Sequence, residues 1–221
     1  MIELGFDTAT ASCSVALRVN GAIFETRPPA ARLLERPAHT TELLPEIEAL
    51  ASRAGVSLDR VDRVIVGVGP GAFTGLRIGV ATARAIATAN GTGLIGVSSL
   101  AALAAGAGEA TPVIDARRKE FFFRINSEDR LAGPEDAVAA IAAAGLPAVG
   151  DGAIALREPL AEVGVEVADP DSEKHVISAT ALIILAENAN PANPDTIVPN
   201  YIRPPDAKAS SRESWLVGAA K

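Results

Sequence analysis

The short apolar run Val64-Ile65-Val66 leads directly into Gly67-Val68-Gly69-Pro70-Gly71-Ala72-Phe73-Thr74-Gly75-Leu76-Arg77, and helical spacing then continues to about Asn90. A buried strand that turns through this many glycines straight into a helix is a strand–turn–helix unit, the repeating element of α/β folds. Backbone N–H groups at such a junction, with the positive end of the helix dipole behind them, suit an anion. A Walker A loop is excluded, because no Gly-Lys-Ser/Thr closes the turn and Arg77 falls two residues past Gly75. The outline Gly67-x-Gly69-x-x-Ala72 matches a dinucleotide fingerprint, yet the ribose-binding acid due about 20 residues later is missing and the next strand ends in Val97-Ser98-Ser99. A tight turn that serves close packing is the structural alternative. Along the helix, Gly75, Gly79, Ala83 and Ala87 recur every fourth residue and clear a flat strip for close approach of another backbone, inside the chain or on a partner.

The remaining pattern completes an α/β domain. Ile2 to Phe6 and Ser14 to Val19 read as strands, and Asn20-Gly21 turns the chain back into Ala22 to Thr26. Arg27 to Pro37, with three prolines and no period, is a loop. From His39, Leu43, Leu44, Ile47, Leu50 and Ala51 share one helical face, Pro45 suggests a bend, and Gly55 stands at the C-cap position. Leu94 to Val97 is a further strand, followed by an Ala-rich helix capped by Ser98 or Ser99. Three antiparallel strands, helix, strand, helix, strand is the order of a ribonuclease H-like domain, so residues 1–103 are expected to form one domain and residues 104–221 a smaller second one. The second half opens alike: Pro112 to Ile114, then Asp115 where the first half has Asp7, and Phe121 to Ile125 returning. Helices follow at Pro134 to Ala144, around Ile154 to Val163 and from Ala179 to Asn190. The terminal Ala/Ser-rich tail is expected to be mobile.

Charge and composition narrow the function. Twenty basic against 27 acidic residues give a net charge of −7, which opposes binding to a phosphate backbone, and aromatics at 4% leave few platforms for stacking bases. Nucleic acid is therefore expected only through a partner. The lone Cys13 forms no internal disulfide, the start lacks the pattern of a secretory signal, and every apolar stretch is broken by Gly, Pro or charge. A cytoplasmic protein with no membrane role is the expectation.

An ordered set of motifs resembles the TsaB family along nearly the whole length: Phe6-Asp7-Thr8-Ala9-Thr10 with Ser14-Val15-Ala16-Leu17, His39-Thr40 before Leu44-Pro45, and Gly69-Pro70-Gly71-Ala72-Phe73-Thr74-Gly75-Leu76-Arg77-Ile78-Gly79. Gly96-Val97-Ser98-Ser99-Leu100, Asp115-Ala116-Arg117 and Pro199-x-Tyr201-Ile202-Arg203 continue it. Ala72 replaces the family's usual Ser, and Glu120-Phe121-Phe122 its usual Glu-Val-Tyr-like strand. The resemblance implies two ribonuclease H-like domains of the actin/Hsp70/sugar-kinase superfamily. It also implies a non-catalytic scaffold that binds TsaD, the related catalytic subunit, and works with the ATPase TsaE to form threonylcarbamoyladenosine next to the anticodon of tRNA. His39, Leu43, Leu44 and Ile47 of one helix, with Gly75, Arg77, Gly79 and Ala83 of the next, are the implied partner surface. The same surface would pair two copies of the chain.

The catalytic relative binds its metal through two histidines four apart on one helix, whereas here His39 has Leu43 at that spacing and His175 lies far away beside Lys174, read as a solvated loop position. No metal ligand set and no catalytic residue is assigned. Asp7, Thr8, Thr10 and Asp115 occupy the acidic turns that hold magnesium and phosphates in active superfamily members, and are candidates for a vestigial nucleotide or phosphate site. Ala9, in place of a glycine, weakens that pocket. Asp7 is equally a turn carboxylate bonded to nearby N–H groups. Cys13 reads as a small buried residue, and the basic turn Arg117-Arg118-Lys119 as a solvated turn or a phosphate contact. No cofactor is required of this chain; ATP and metal are expected to act through the partners. The alternative is an autonomous ATPase or phosphotransferase of the same fold, and a metalloprotease lacks its ligands.

Overall fold

A computed structural model describes residues 1–202, so Arg203 and the Ala/Ser-rich tail lie outside the described residues. Strands β1 (Ile2–Asp7), β2 (Ser14–Val19) and β3 (Ala22–Thr26) form an antiparallel meander, with Asp7 opposite Ser14 at its end. Asn20 and Gly21 both have positive φ, 49° and 91°, the backbone a tight two-residue hairpin requires. Helix α1 (His39–Ala54) follows and ends at Gly55, which takes the left-handed conformation and returns its N–H to Ala51 and Ser52. It runs unbroken through Pro45. β4 (Arg63–Gly69) then lies parallel to β1, α2 (Phe73–Ala89) leaves from the glycine turn, and β5 (Leu94–Ser98) closes the sheet in the order β3-β2-β1-β4-β5. This is the ribonuclease H-like arrangement expected from the element order.

The second sheet repeats it in smaller form. After α3 (Ser99–Ala107), whose N-cap Ser98 accepts from the Ala101 N–H, come β6 (Thr111–Asp115), β7 (Phe121–Ile125), β8 (Glu128–Ala132) and, beyond α4 (Pro134–Ala144), the two-residue β9 (Ala148–Val149). Their order is β8-β7-β6-β9. The expected helix from Ile154 to Val163 is two short ones, α5 (Asp151–Ala155) and α6 (Arg157–Glu162), separated at Leu156. α7 (Ala179–Leu185) is capped by the Ser178 hydroxyl and ends sooner than its apolar pattern suggests.

Packing gives five layers. Leu4, Phe6, Val15, Leu17, Val64 and Val66 point from one face of the first sheet onto Leu43, Ile47 and Leu50 of α1 and Val80 and Ala83 of α2. The opposite face meets α3 and α7, in a core that also takes Ile114 and Phe122 from the second sheet. The far face of that sheet packs on α4, α5 and α6 through Val113, Phe121, Phe123, Ile141 and Leu160. A boundary at residues 103 and 104 therefore falls inside α3, and α7 crosses back onto β1 and β2. Gly5 makes that return feasible, since a Cβ there would stand 2.8 Å from Ile183 Cγ1. Glu3, fully buried on the same face, binds both Arg18 and Arg63, and Arg63 also donates to the Ala186 and Ala189 carbonyls at the end of α7. Among the described residues no helix is long and apolar enough to cross a membrane.

Candidate functional site

The acidic turn after β1 is filled by the chain itself. Asp7 is buried; its Oδ1 accepts from the Ala9 N–H at 2.7 Å and its Oδ2 from the Ser99 hydroxyl at 2.6 Å. Burial pushes its pKa up, with the Ser99 and Ala9 hydrogen bonds opposing. Gly67 lies so close that a Cβ would fall 1.7 Å from Asp7 Oδ2, and a Cβ on Gly71 would meet the Ala9 carbonyl at 2.5 Å. The glycine turn is thus moulded around the β1–β2 turn, and the Ala72 N–H donates to Ala9 O at 2.7 Å.

The small-residue strip serves the same contact. The Thr8 hydroxyl donates to Gly75 O at 2.8 Å, and Cβ atoms at Gly75 and Gly79 would lie 2.1 and 2.3 Å from Thr8 O and Thr8 Oγ1. Thr10 O accepts from His39 Nε2 at 2.8 Å, which places the proton on that nitrogen, because a carbonyl only accepts. Burial lowers the His39 pKa, keeping the ring neutral against this carbonyl. Leu43, Ile47, Gly75, Gly79 and Ala83 are all buried within the chain, so the strip expected to face a partner faces Thr8 and the sheet instead. Leu44, expected on the partner surface with Leu43 and Ile47, parts from them and is 52% exposed. Arg77 is exposed as well: its guanidinium lies 3.8 Å from the Phe73 ring centre, and its Nε donates to Tyr201 Oη at 3.1 Å. The outward stripes of these helices are therefore Thr40, Leu44 and Glu48 on α1, and Phe73, Arg77 and Ala81 on α2.

Asp115 parts company with Asp7, Thr8 and Thr10. It lines a cleft of 710 Å³ between the two halves, walled by the start of α2 and by the turn that follows β6, whereas the other three lie beneath α2. Asp115 Oδ1 accepts from the Arg117 N–H at 2.7 Å and Oδ2 from Arg117 Nη1 at 3.1 Å. Its own N–H donates to Asp151 Oδ1 at 3.1 Å. Burial pushes Asp151 up to about 6. Sequence reasoning missed Asp151, although its setting between Gly150 and Gly152 at the end of β9 repeats the glycine turn at the end of β4. Ser99 was read only as a cap and proves to hold Asp7.

His175 is a correction. It is fully buried rather than solvated: Nδ1 accepts from the Gly150 N–H at 2.9 Å, and Nε2 reaches the Ala168 and Asp169 carbonyls at 3.1 and 3.0 Å. A backbone donor in a turn buried under α3 needs an acceptor, and the ring supplies it. Cys13 is buried as expected, and burial pushes its thiol up to about 12, far from a thiolate nucleophile. Among the described residues no group of three or more His, Cys, Asp or Glu side chains is arranged to hold a metal ion.

The profile of the family described as "TsaD: tRNA N6-adenosine threonylcarbamoyltransferase" matches residues 34–152. The Escherichia coli "tRNA threonylcarbamoyladenosine biosynthesis protein TsaB" is 38% identical over 129 residues, 54% of this chain and 52% of that protein, so the match spans about half the length of this curated relative. An uncharacterized protein of Mycobacterium bovis is 35% identical over 180 residues, covering 77% of this chain and 78% of its own length. The structure of YeaZ from Pseudomonas aeruginosa superposes with a TM-score of 0.70 at 28% identity, over 90% of this chain and 100% of that one. The two-sheet architecture is that of the actin-like fold, and the chain belongs to the TsaB (YeaZ-like) family.

Proposed function

We propose that this chain is a non-catalytic subunit in the formation of threonylcarbamoyladenosine in tRNA, a scaffold that binds and supports a TsaD-like catalytic subunit in the cytoplasm. The observation that carries this reading is the sealed acidic turn: Ser99 and Ala9 donate to the buried Asp7, and Gly67 and Gly71 pack closely against Asp7 and Ala9. A carboxylate buried in this way is not open to magnesium for phosphoryl transfer. ATP and metal then act through the partners, a TsaE-like ATPase among them, and tRNA is held by the complex.

The partner surface is assigned to the outward stripes of α1 and α2, around the exposed Leu44 and Phe73 with Arg77 between apolar neighbours. Exposed large apolar side chains clustered at two helix starts favour association, and the same patch would pair two copies of the chain. Size-exclusion chromatography of the purified chain alone and with a TsaD-like subunit, with ATP turnover measured on both, tests the reading. A stable complex and no turnover by the isolated chain are expected. Turnover that survives purification and disappears in Asp7→Asn overturns it in favour of an autonomous ATPase.

A further inference from the structure

The cleft between the halves has chemistry that the scaffold reading leaves unused. Its apolar lining includes Phe73, Tyr201 and, with little exposed surface, Phe122. The turn after β6 brings Arg117 and Arg118 to the rim, and the Arg117 side chain is 65% exposed while its ion pair with Asp115 holds the guanidinium in place. Residues 117 to 119 all have positive φ, 62°, 57° and 61°, a costly run for residues with side chains. It is fastened by the Asp115 carboxylate below and by the Glu120 N–H on Arg117 O.

Across the cleft the 17-residue helix α2 starts at Phe73 behind Ala72, which offers no side-chain acceptor. Among the described residues, the N–H groups of Phe73, Thr74 and Gly75 find none either. In a chain of net charge −7, a cationic rim and an open helix start on the same cavity stand out as complementary to a negative group.

The negative group best suited is a carboxylate. Asp115, paired with Arg117, offsets part of the guanidinium charge, so the rim suits a monoanion better than a dianionic phosphate. A concave, ring-lined cavity also lacks the long basic track that a phosphodiester chain needs. Arg117 offers a guanidinium fork, which suits a carboxylate, and the aromatic wall suits a large apolar neighbour.

We propose that the cleft is a docking site for a short segment of a partner protein that carries a carboxylate beside an aromatic or large apolar side chain. Arg117 and the start of α2 take the carboxylate, and Phe73, Phe122 and Tyr201 take the apolar group. This site does not depend on the tRNA-modification reading.

Fluorescence anisotropy of the full chain with a labelled Asp-Glu-Phe-Asp-Glu peptide tests it, alongside the Asn/Gln counterpart, a Lys counterpart and a labelled single-stranded RNA. The acidic peptide should bind in the micromolar range, and the Asn/Gln peptide about tenfold or more weaker. Arg117→Glu should weaken binding by about tenfold. Thr74→Asp places a carboxylate at the helix start, where the dipole favours it, and fills the anion position; binding should be lost while thermal unfolding stays at or above the parent's. No binding of the acidic peptide, equal binding of the Asn/Gln or Lys peptide, unchanged affinity in both variants, or tighter binding of RNA would each overturn the proposal.

Discussion

Asp151 gives the sharpest test of the geometry around the cleft. Its Oδ1 accepts from the Asp115 and Gly152 N–H groups, yet burial dominates these hydrogen bonds, and the nearby Asp115 charge adds to it, so the carboxyl is raised from 3.8 to about 6. A carboxyl raised on folding contributes stability that is fully present below its unfolded pKa and lost as pH climbs through the folded value. That loss is about 3 kcal/mol in full, at about 1.4 kcal/mol per unit, and roughly half of it accrues between about pH 5 and pH 7.5. Asp151→Asn keeps an oxygen for both N–H groups and removes the ionisation. Chemical denaturation of parent and variant at both pH values should therefore show the variant gaining about 1–2 kcal/mol on the parent between the lower and the higher pH. Taking the difference between the two proteins cancels the other titrating groups. A pH-independent difference, or a variant less stable at pH 7.5 than at pH 5 relative to the parent, would show that Asp151 is ionised without cost and that the burial argument fails.

Three further outcomes follow from the packing. Gly79→Ala, which would help an exposed helix, should cost about 1–3 kcal/mol here because its Cβ would stand 2.3 Å from Thr8 Oγ1; a neutral or stabilising result in thermal unfolding would put the strip back on the surface. Glu3→Ala should cost about 3 kcal/mol, since it strands Arg18 and Arg63, whose side chains are only 16% and 15% exposed; urea titration measures it, and a loss under about 1 kcal/mol would refute the buried network. The double variant Leu44→Asp, Phe73→Asp should unfold within about 0.5 kcal/mol of the parent while weakening association with a TsaD-like subunit about tenfold or more; undiminished complex on a sizing column would remove the partner surface from these helices.

Local pattern carried the first half of the fold almost to the residue. The Asn20-Gly21 hairpin, the Gly55 helix stop and the strand that runs into the glycine turn each have a backbone reason that neighbours in sequence supply. What the pattern left open was destination. A glycine or alanine every fourth residue announces a close approach without naming what approaches, and the visitor is Thr8, about seventy residues away and delivered by the pairing of β1 with β4. Leu44 fits the apolar periodicity as well as Leu43 does, but it stands about 100° further round the helix, and the sheet covers Leu43, Ile47 and Leu50 and leaves Leu44 outside. His175 lies among charged residues and reads as solvated; only the need of Gly150 for an acceptor draws it inside. The strand β8, Glu-Asp-Arg-Leu-Ala, is a charged edge strand whose sequence carries little alternation.

The two halves share one turn and use it differently. Asp7 accepts from the N–H two residues on, and Asp115 does the same with Arg117, each at 2.7 Å at the end of the first strand of its sheet. In the first half the following helix has 17 residues and starts in glycines that close over the carboxylate; in the second it has five, and Asp151 reaches only the backbone of Asp115, leaving the carboxylate itself at the cleft. A long helix pressed onto a turn gains rigidity and loses the open site, which suits a surface that must hold a partner in register. A short helix leaves the turn open to the cavity, its backbone strain fastened by the Asp115 carboxylate and the Glu120 N–H, which suits a rim that meets a ligand. Duplication of the turn thus accounts for both features: the rigid face built from α1 and α2, and the cationic rim that looks across at the uncapped start of α2.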